Sequence, residues 1–324
     1  MRAAICRSYG PPEVVRVEEL SSPELAAGQV RVRVGAASVN FPDVLLVANE
    51  YQMSVPTPFV PGSEFAGVVA EVAEGVQGVV VGDRVAGTGL VGAFAEEAVV
   101  AARSLTQVPP TIDARLAAAF GVAHRTAYHA LRSMAPIQPG EELIVLGAGG
   151  GVGLAAVEIG VLLGASVTAV ASSTEKLEAA AARGARNLIN HRTVELRQAL
   201  RAALPGGADV VIDPVGGELS EPALRTLHWG GRFVTLGYAS GAVPRIPLNL
   251  VLLKGVRVLG FQLRDFATNV REDFQRNEAE LADLLAERRL LPHIGAVFGL
   301  DEVAGALRHV ADGHAVGKVV LDIA

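Results

Sequence analysis

The sequence predicts an α/β protein of two domains, a doubly wound parallel sheet and a mostly β domain before it. Three observations carry this. Residues 143–176 read as strand, glycine-rich turn, helix and second strand. Strand-like and helix-like segments keep alternating from there to residue 261, whereas residues 1–120 hold short strands punctuated by Gly and Pro.

Taken in order, residues 2–6 form a short apolar strand, and 29–38 sets Val30, Val32 and Val34 against Arg31 and Arg33, the alternation of a half-buried strand. Asn40-Phe41-Pro42-Asp43 then starts a short helix, with Pro42 suited to a first-turn position. Pro56, Pro58 and Pro61 break the chain into a loop, after which 64–76, 83–86 and 94–101 read as further strands. Alanine-rich helical spacing runs over 114–131. The parallel sheet is expected from six strands at 143–146, 165–170, 187–190, 209–212, 232–236 and 256–261, with helices at 175–183, 193–203 and 219–227 between them. A charged amphipathic helix is expected from 265 to 289, then a short helix from 301 and a last strand at 316–323. These last elements are expected to rejoin the first domain, giving one domain of 1–121 with 265–324 and a second of 122–264, with cofactor and substrate meeting in the cleft between them.

Within 143–176, Gly147, Gly150, Gly151, Val152 and Gly153 form the phosphate-binding turn. Glycines there let the backbone approach a pyrophosphate, and the N–H groups and dipole of the following helix favour anions. Their spacing is Gly147-x-x-Gly150-x-x-Gly153, so the strand–turn–helix context carries the assignment rather than the glycines alone. A site for the unphosphorylated dinucleotide ordinarily places an acid at the end of the second strand to bind the ribose 2′-hydroxyl. This chain has Ser172, Ser173 and Thr174 there, followed by Lys176. Hydroxyls and an ammonium suit a 2′-phosphate, which points to NADPH, and His191 and Arg192 after the next strand can reach the same group. The alternative is a solvated helix start, with Ser173 or Thr174 as N-cap.

Half of the 324 residues are hydrophobic and 19% are charged, the composition of a globular protein. The net charge of −6 and the lack of a basic stripe weigh against nucleic acid as the main partner. No signal-peptide run or membrane-length apolar stretch is present, so a cytoplasmic protein is expected. Cys6 is the single cysteine, which excludes an intrachain disulfide and a multi-cysteine zinc site. The exposed edge expected of strands 232–236 and 256–261 points to a homodimer.

The segments AASVNFPD (36–43), PGSEFAGVV (61–69), TAYHAL (126–131), the glycine unit, DVVIDPVGG (209–217) and GKVVL (317–321) are similar, in order and spacing, to the medium-chain dehydrogenase/reductase superfamily. Within it the chain most resembles the zinc-independent, ζ-crystallin-like quinone oxidoreductases. The resemblance implies a GroES-like first domain, a Rossmann second domain and a homodimer. The zinc-bearing relatives have Cys where this chain has Asn40, His where it has Ser63 and a second Cys where it has Val122, while Glu64 is kept. Asn, Ser and Val cannot build a zinc site, and no metal is expected. His124 and His129 lack metal-ligand spacing with a carboxylate and are read as structural or surface residues.

The resemblance also implies that Asn40, Asp43 and Tyr51 lie in the substrate cleft and that Thr126 lies near the nicotinamide. Gly237 and Lys318 are counted with the cofactor-binding residues, Lys318 being open between a cleft position and an edge-strand charge. Asn40 offers an amide to a developing oxyanion and Tyr51 a hydroxyl to a carbonyl oxygen, while Asp43 suits holding neighbours or water. Each has a plainer alternative: turn or helix-start bonding for Asn40 and Asp43, and loop packing for Tyr51. The function expected is NADPH-dependent reduction of quinones or conjugated enones. The alternatives are a 2-enoyl thioester reductase of the same superfamily, and a crystallin-like protein that binds NADPH or RNA without turnover.

Overall fold

The computed structural model describes residues 1–323. Its contacts divide the chain into two units, Met1–Val122 with the chain from Leu291 on, and Ala123–Leu290. Residues 265–290, expected with the first unit, are grouped by their contacts with the second.

The first unit opens with a two-stranded antiparallel pair, β1 (Arg2–Cys6) and β2 (Val15–Glu19). Strand β3 (Gln29–Val39) is eleven residues long and leads into helix α1 (Phe41–Ala48). Then come β4 (Glu64–Val72), β5 (Arg84–Thr88), β6 (Glu97–Ala101) and β7 (Leu105–Gln107). Alternation makes β3 work as the organiser. Val30, Val32 and Val34 point into a core shared with Phe65, Val69, Val85 and Phe94, while Arg31 faces outward between Glu71 and Glu97.

Helix α2 (Ala114–His129) carries the chain into the second unit. There β8 (Glu142–Leu146), α3 (Gly151–Leu162), β9 (Ser166–Ala171), α4 (Thr174–Ala181), β10 (Asn187–Asn190), α5 (Leu196–Ala203), β11 (Ala208–Asp213), α6 (Ser220–Thr226), β12 (Leu227–Thr235), α7 (Leu248–Lys254) and β13 (Arg257–Gly260) follow. All six strands are parallel, in the order β10-β9-β8-β11-β12-β13. Counted within the sheet this is 3-2-1-4-5-6, the dinucleotide-binding order, with its switch point between β8 and β11. The six expected strands are all present. Helix α7 was not expected, because Leu248, Leu252 and Leu253 are largely exposed and give no core-facing periodicity.

In place of the single amphipathic helix expected from 265, two helices form, α8 (Leu263–Asn269) and α9 (Arg271–Ala286), separated at Val270, whose φ of −128° and ψ of 57° are not helical. What fixes them in the second unit is His129, fully buried on α2. Its Nε2 bonds Glu278 at 3.0 Å, its Nδ1 accepts from Asn277 at 3.0 Å, and its ring lies 5.0 Å from the rings of both Phe266 and Phe274. Against the upward push of burial, His129 and Arg125 hold the Glu278 carboxyl below its ordinary value. The structural role expected of His129 is what the geometry gives.

The chain then returns to the first unit as β14 (Ile294–Gly299), α10 (Val303–Ala311) and β15 (Lys318–Asp322). Strand β15 inserts between β14 and β3, so it is an interior strand and Lys318 is not an edge-strand charge. Helix α10 covers the sheet with Val303, Ala306 and Leu307.

Candidate active site

Two groups of side chains are assembled, one in each unit. In the second unit, β8 ends in a turn whose Gly147 has φ of 61°, a conformation that favours glycine. Gly150 N donates to Gly147 O at 3.0 Å and is the N-cap of α3, where no side chain caps the helix. A Cβ on Gly153 would overlap the Gly147 carbonyl, so only glycine lets α3 lie this close to the turn. The first-turn N–H groups of Gly151, Val152 and Gly153 thus meet no side-chain cap at the carboxyl end of a parallel strand, the arrangement that binds a pyrophosphate. Gly237 follows β12 at the same end of the sheet, where an added Cβ would lie 3.7 Å from Pro214 O. Thr126 is half-buried on α2.

A basic group sits at the ends of the neighbouring strands β9 and β10. Ser173 caps α4, its Oγ accepting from Lys176 N at 3.4 Å, and Lys176 Nζ lies 3.5 Å from Ser172 Oγ. His191 N donates to Ala171 O at 3.1 Å, which draws the end of β10 against the end of β9. Burial and then Arg192 lower the Lys176 pKa, and burial, Arg192 and Lys176 lower that of His191. The capping expected under the plainer reading is present, and so is a convergence of like charge.

The second group is built by strand register in the first unit. Antiparallel pairing sets Val39 opposite Val319 and Ser38 opposite Glu64, so Asn40, Glu64 and Lys318 meet at one end of three strands. They are 8%, 1% and 4% exposed. Lys318 Nζ donates to Glu64 Oε1 and to Asn40 Oδ1, both at 2.6 Å. Asn40 Nδ2 donates to Glu64 Oε1 at 2.8 Å and to Ser63 Oγ at 3.2 Å. Glu64 Oε2 accepts from Val122 N at 2.7 Å, where Gly121 leaves room for the carboxylate. Ser63 is the half-buried member of this set.

Asp43 closes the first turn of α1, its Oδ2 accepting from Asn40 N at 2.7 Å. It is fully buried and its Oδ1 makes no hydrogen bond of ordinary geometry among the described residues. Burial pushes its carboxyl up to about 7, against the weaker pull of the Asn40 N–H and the Ser63 hydroxyl. The Tyr51 ring packs on the core of the first unit, and its hydroxyl accepts from Gln52 at 3.5 Å. The structure therefore joins Asn40, Asp43 and Lys318, which the sequence had divided between substrate and cofactor, and bonds Tyr51 to Gln52 instead. Ser63 was read only as the replacement of a histidine; a Ser-Glu pair beginning a buried strand was the available signal.

The chain matches two family descriptions, an alcohol dehydrogenase GroES-like domain over residues 26–110 and a zinc-binding dehydrogenase over residues 151–283. It is 37% identical to quinone oxidoreductase-like protein 2 of Bos taurus, across 99% of this chain and 92% of that one. It is 30% identical to the quinone oxidoreductase of Homo sapiens, across 99% and 97%. The crystal structure of Escherichia coli quinone oxidoreductase complexed with NADPH superposes with a TM-score of 0.93 at 27% identity, covering all of both chains.

The residues present do not fit the zinc that the second description implies. Asn40, Ser63 and Val122 supply no thiolate or imidazole, and the Lys318 ammonium already occupies the carboxylate of Glu64. No group of three His, Cys, Asp or Glu residues able to hold a metal occurs among the described residues.

A raised carboxyl pKa fixes a sign. Folded Asp43 keeps its proton above the ordinary carboxylate range, so the chain loses stability as pH rises from about 4 to about 7, by at most about 4 kcal/mol. Asp43→Asn keeps the acceptor for Asn40 N and removes this slope. Urea unfolding at pH 5, 6.5 and 8 should show wild type falling relative to the variant, and parallel curves would contradict the buried acid.

Proposed function

The chain belongs to the quinone oxidoreductase family of the medium-chain dehydrogenase/reductase superfamily, and from that premise we propose that it is an NADPH-dependent, zinc-independent reductase of quinones or conjugated enones. The observation that carries the finer reading is the buried pairing of Lys318 with Glu64 and Asn40. With an ammonium rather than a Lewis acid in that place, the acceptor must spread incoming charge over its own conjugated atoms, as quinones and enones do and unactivated ketones do not.

Bound NADPH supplies the hydride. Gly147, Gly150, Gly151, Val152 and Gly153 hold its pyrophosphate through backbone N–H groups, and Ser172, Ser173, Lys176, His191 and Arg192 hold the 2′-phosphate, which relieves the repulsion between Lys176 and Arg192. Thr126 and Gly237 lie along the rest of the cofactor. In the first unit both amide hydrogens of Asn40 are committed to Glu64 and Ser63, and the Ser63 hydroxyl is shared with the Asp43 carboxyl, so Asn40 meets a substrate oxygen only through Ser63. Tyr51 accepts from Gln52 and retains a hydrogen for a carbonyl oxygen. Asp43 holds the Asn40 backbone.

The protein acts as a homodimer in this reading. Strand β13 is one of the two edge strands of the parallel sheet, and Trp229, Leu248, Leu252, Leu253 and Val258 on this side of it are 45–80% exposed, with Leu248 at 80% and Val258 at 45%. A second copy pairing on β13 covers both the edge and the leucines.

Steady-state oxidation of NADPH with 1,4-benzoquinone, a small enone and crotonyl thioester tests the acceptor class. Turnover of the first two supports the reading, and turnover confined to the thioester contradicts it. Lys176→Ala should weaken NADPH by about 10- to 100-fold and leave NADH nearly unchanged, by titration of nucleotide fluorescence. Equal losses would remove Lys176 from the 2′-phosphate. By sedimentation velocity, wild type should run as a dimer and the Leu252→Glu, Val258→Lys double variant as a monomer; a monomeric wild type would contradict the β13 interface.

A further inference from the structure

Glu64 is a carboxylate at 1% exposure, and one ammonium, itself 4% exposed, balances it. That ammonium also bonds the carboxamide oxygen of Asn40, and this second contact fixes an orientation. If the Asn40 amide were turned over, its NH2 would face the Lys318 ammonium and its oxygen would face the Glu64 carboxylate. Two repulsive contacts would replace two charge-assisted hydrogen bonds. Lys318 and Glu64 together therefore allow one orientation only, with one amide hydrogen on Glu64 and the other on Ser63. The chain of contacts runs from a buried charge to the hydroxyl at the half-buried end of the network.

We propose that Lys318 is a positioning residue of the substrate site: its fixed charge orients the Asn40 carboxamide, which in turn holds the Ser63 oxygen, so that the hydroxyl it shares with Asp43 is placed to meet the acceptor. The proposal rests on the reading that Ser63 meets the substrate. It gives Lys318 a role away from the cofactor, and it explains why Glu64 stays useful in a site that lacks zinc ligands. Lysine suits the place because it carries a compact charge with three donors, two of which are spent here on two different oxygens.

The test compares Lys318→Met, Glu64→Gln and the charge-neutral pair Glu64→Gln/Lys318→Met with wild type, all saturated with NADPH. Lys318→Met alone leaves a buried carboxylate without its counter-ion and is the variant at risk of not folding. Glu64→Gln alone leaves the buried ammonium without its carboxylate, and only the pair is charge-neutral; read against each other on the same Glu64→Gln background, the two isolate the ammonium. Two readouts separate positioning from mere stabilisation. With 1,4-benzoquinone, kcat of the pair should fall about 100-fold below that of Glu64→Gln while the Kd for NADPH stays the same. In 15N–1H spectra the Asn40 side-chain resonances should move between these two variants, while its backbone N–H, bonded to Asp43, stays in place. An ion pair that serves stability alone would lower the melting temperature and change neither readout, and that result overturns the proposal. Should wild type reduce no quinone, enone or thioester, the functional reading fails by itself. The Asn40 resonances then decide the role of Lys318, shifted in support of it and unshifted against it.

Discussion

The first unit depends on a single electrostatic requirement, that the Glu64 carboxylate, buried at the start of β4, has a cation within bonding distance. Removing one partner of such a pair costs about 3–5 kcal/mol, because the other charge is left in a medium that cannot solvate it. Meeting the requirement takes three strands from distant parts of the sequence. β3 must pair with β4 so that Ser38 faces Glu64, and with β15 so that Val39 faces Val319. An irregularity between Val34 and Ala36 resets the β3–β4 register just before this point. Strand pairing in this sheet and the composition of the site are thus one constraint.

The second unit solves a different problem with the same economy of parts. A parallel sheet gathers helix N-termini and the carboxyl ends of its strands at one end, and the Gly147 to Gly153 turn keeps side chains out of that space. Lys176, His191 and Arg192 then bring basic side chains together at the ends of β9 and β10, where burial first, and the Arg192 charge after it, lower the pKa values of Lys176 and His191. A dianion placed among them turns a repulsive cluster into an attractive one. Acidic residues at this strand end would have closed that option, and Ser172 and Ser173 leave it open.

Much of this was legible in the sequence because periodicity and glycine placement are local. All six parallel strands and their glycine turn follow from apolar runs, and the Val–Arg alternation of β3 marks its buried face. Strand order and register are not local. Nothing near Lys318 says that β15 lies between β14 and β3, so an interior lysine was open to reading as an edge charge. The same blindness gave Asn40 a free amide, since its partners Glu64 and Lys318 lie 24 and 278 residues away. Helix α7 escaped for the opposite reason. Its leucines face outward, and a periodicity argument looks for leucines that face in.

In the proposed function a lysine, not a metal, supplies the fixed positive charge of the site. This is tested most directly by measuring the rate of NADPH oxidation with 1,4-benzoquinone on protein stripped by a strong chelator, then titrated with zinc, with metal content determined alongside. The rate should be unchanged at sub-stoichiometric metal, with no gain on adding zinc. Loss of turnover on chelation, restored by one equivalent of zinc, would contradict it.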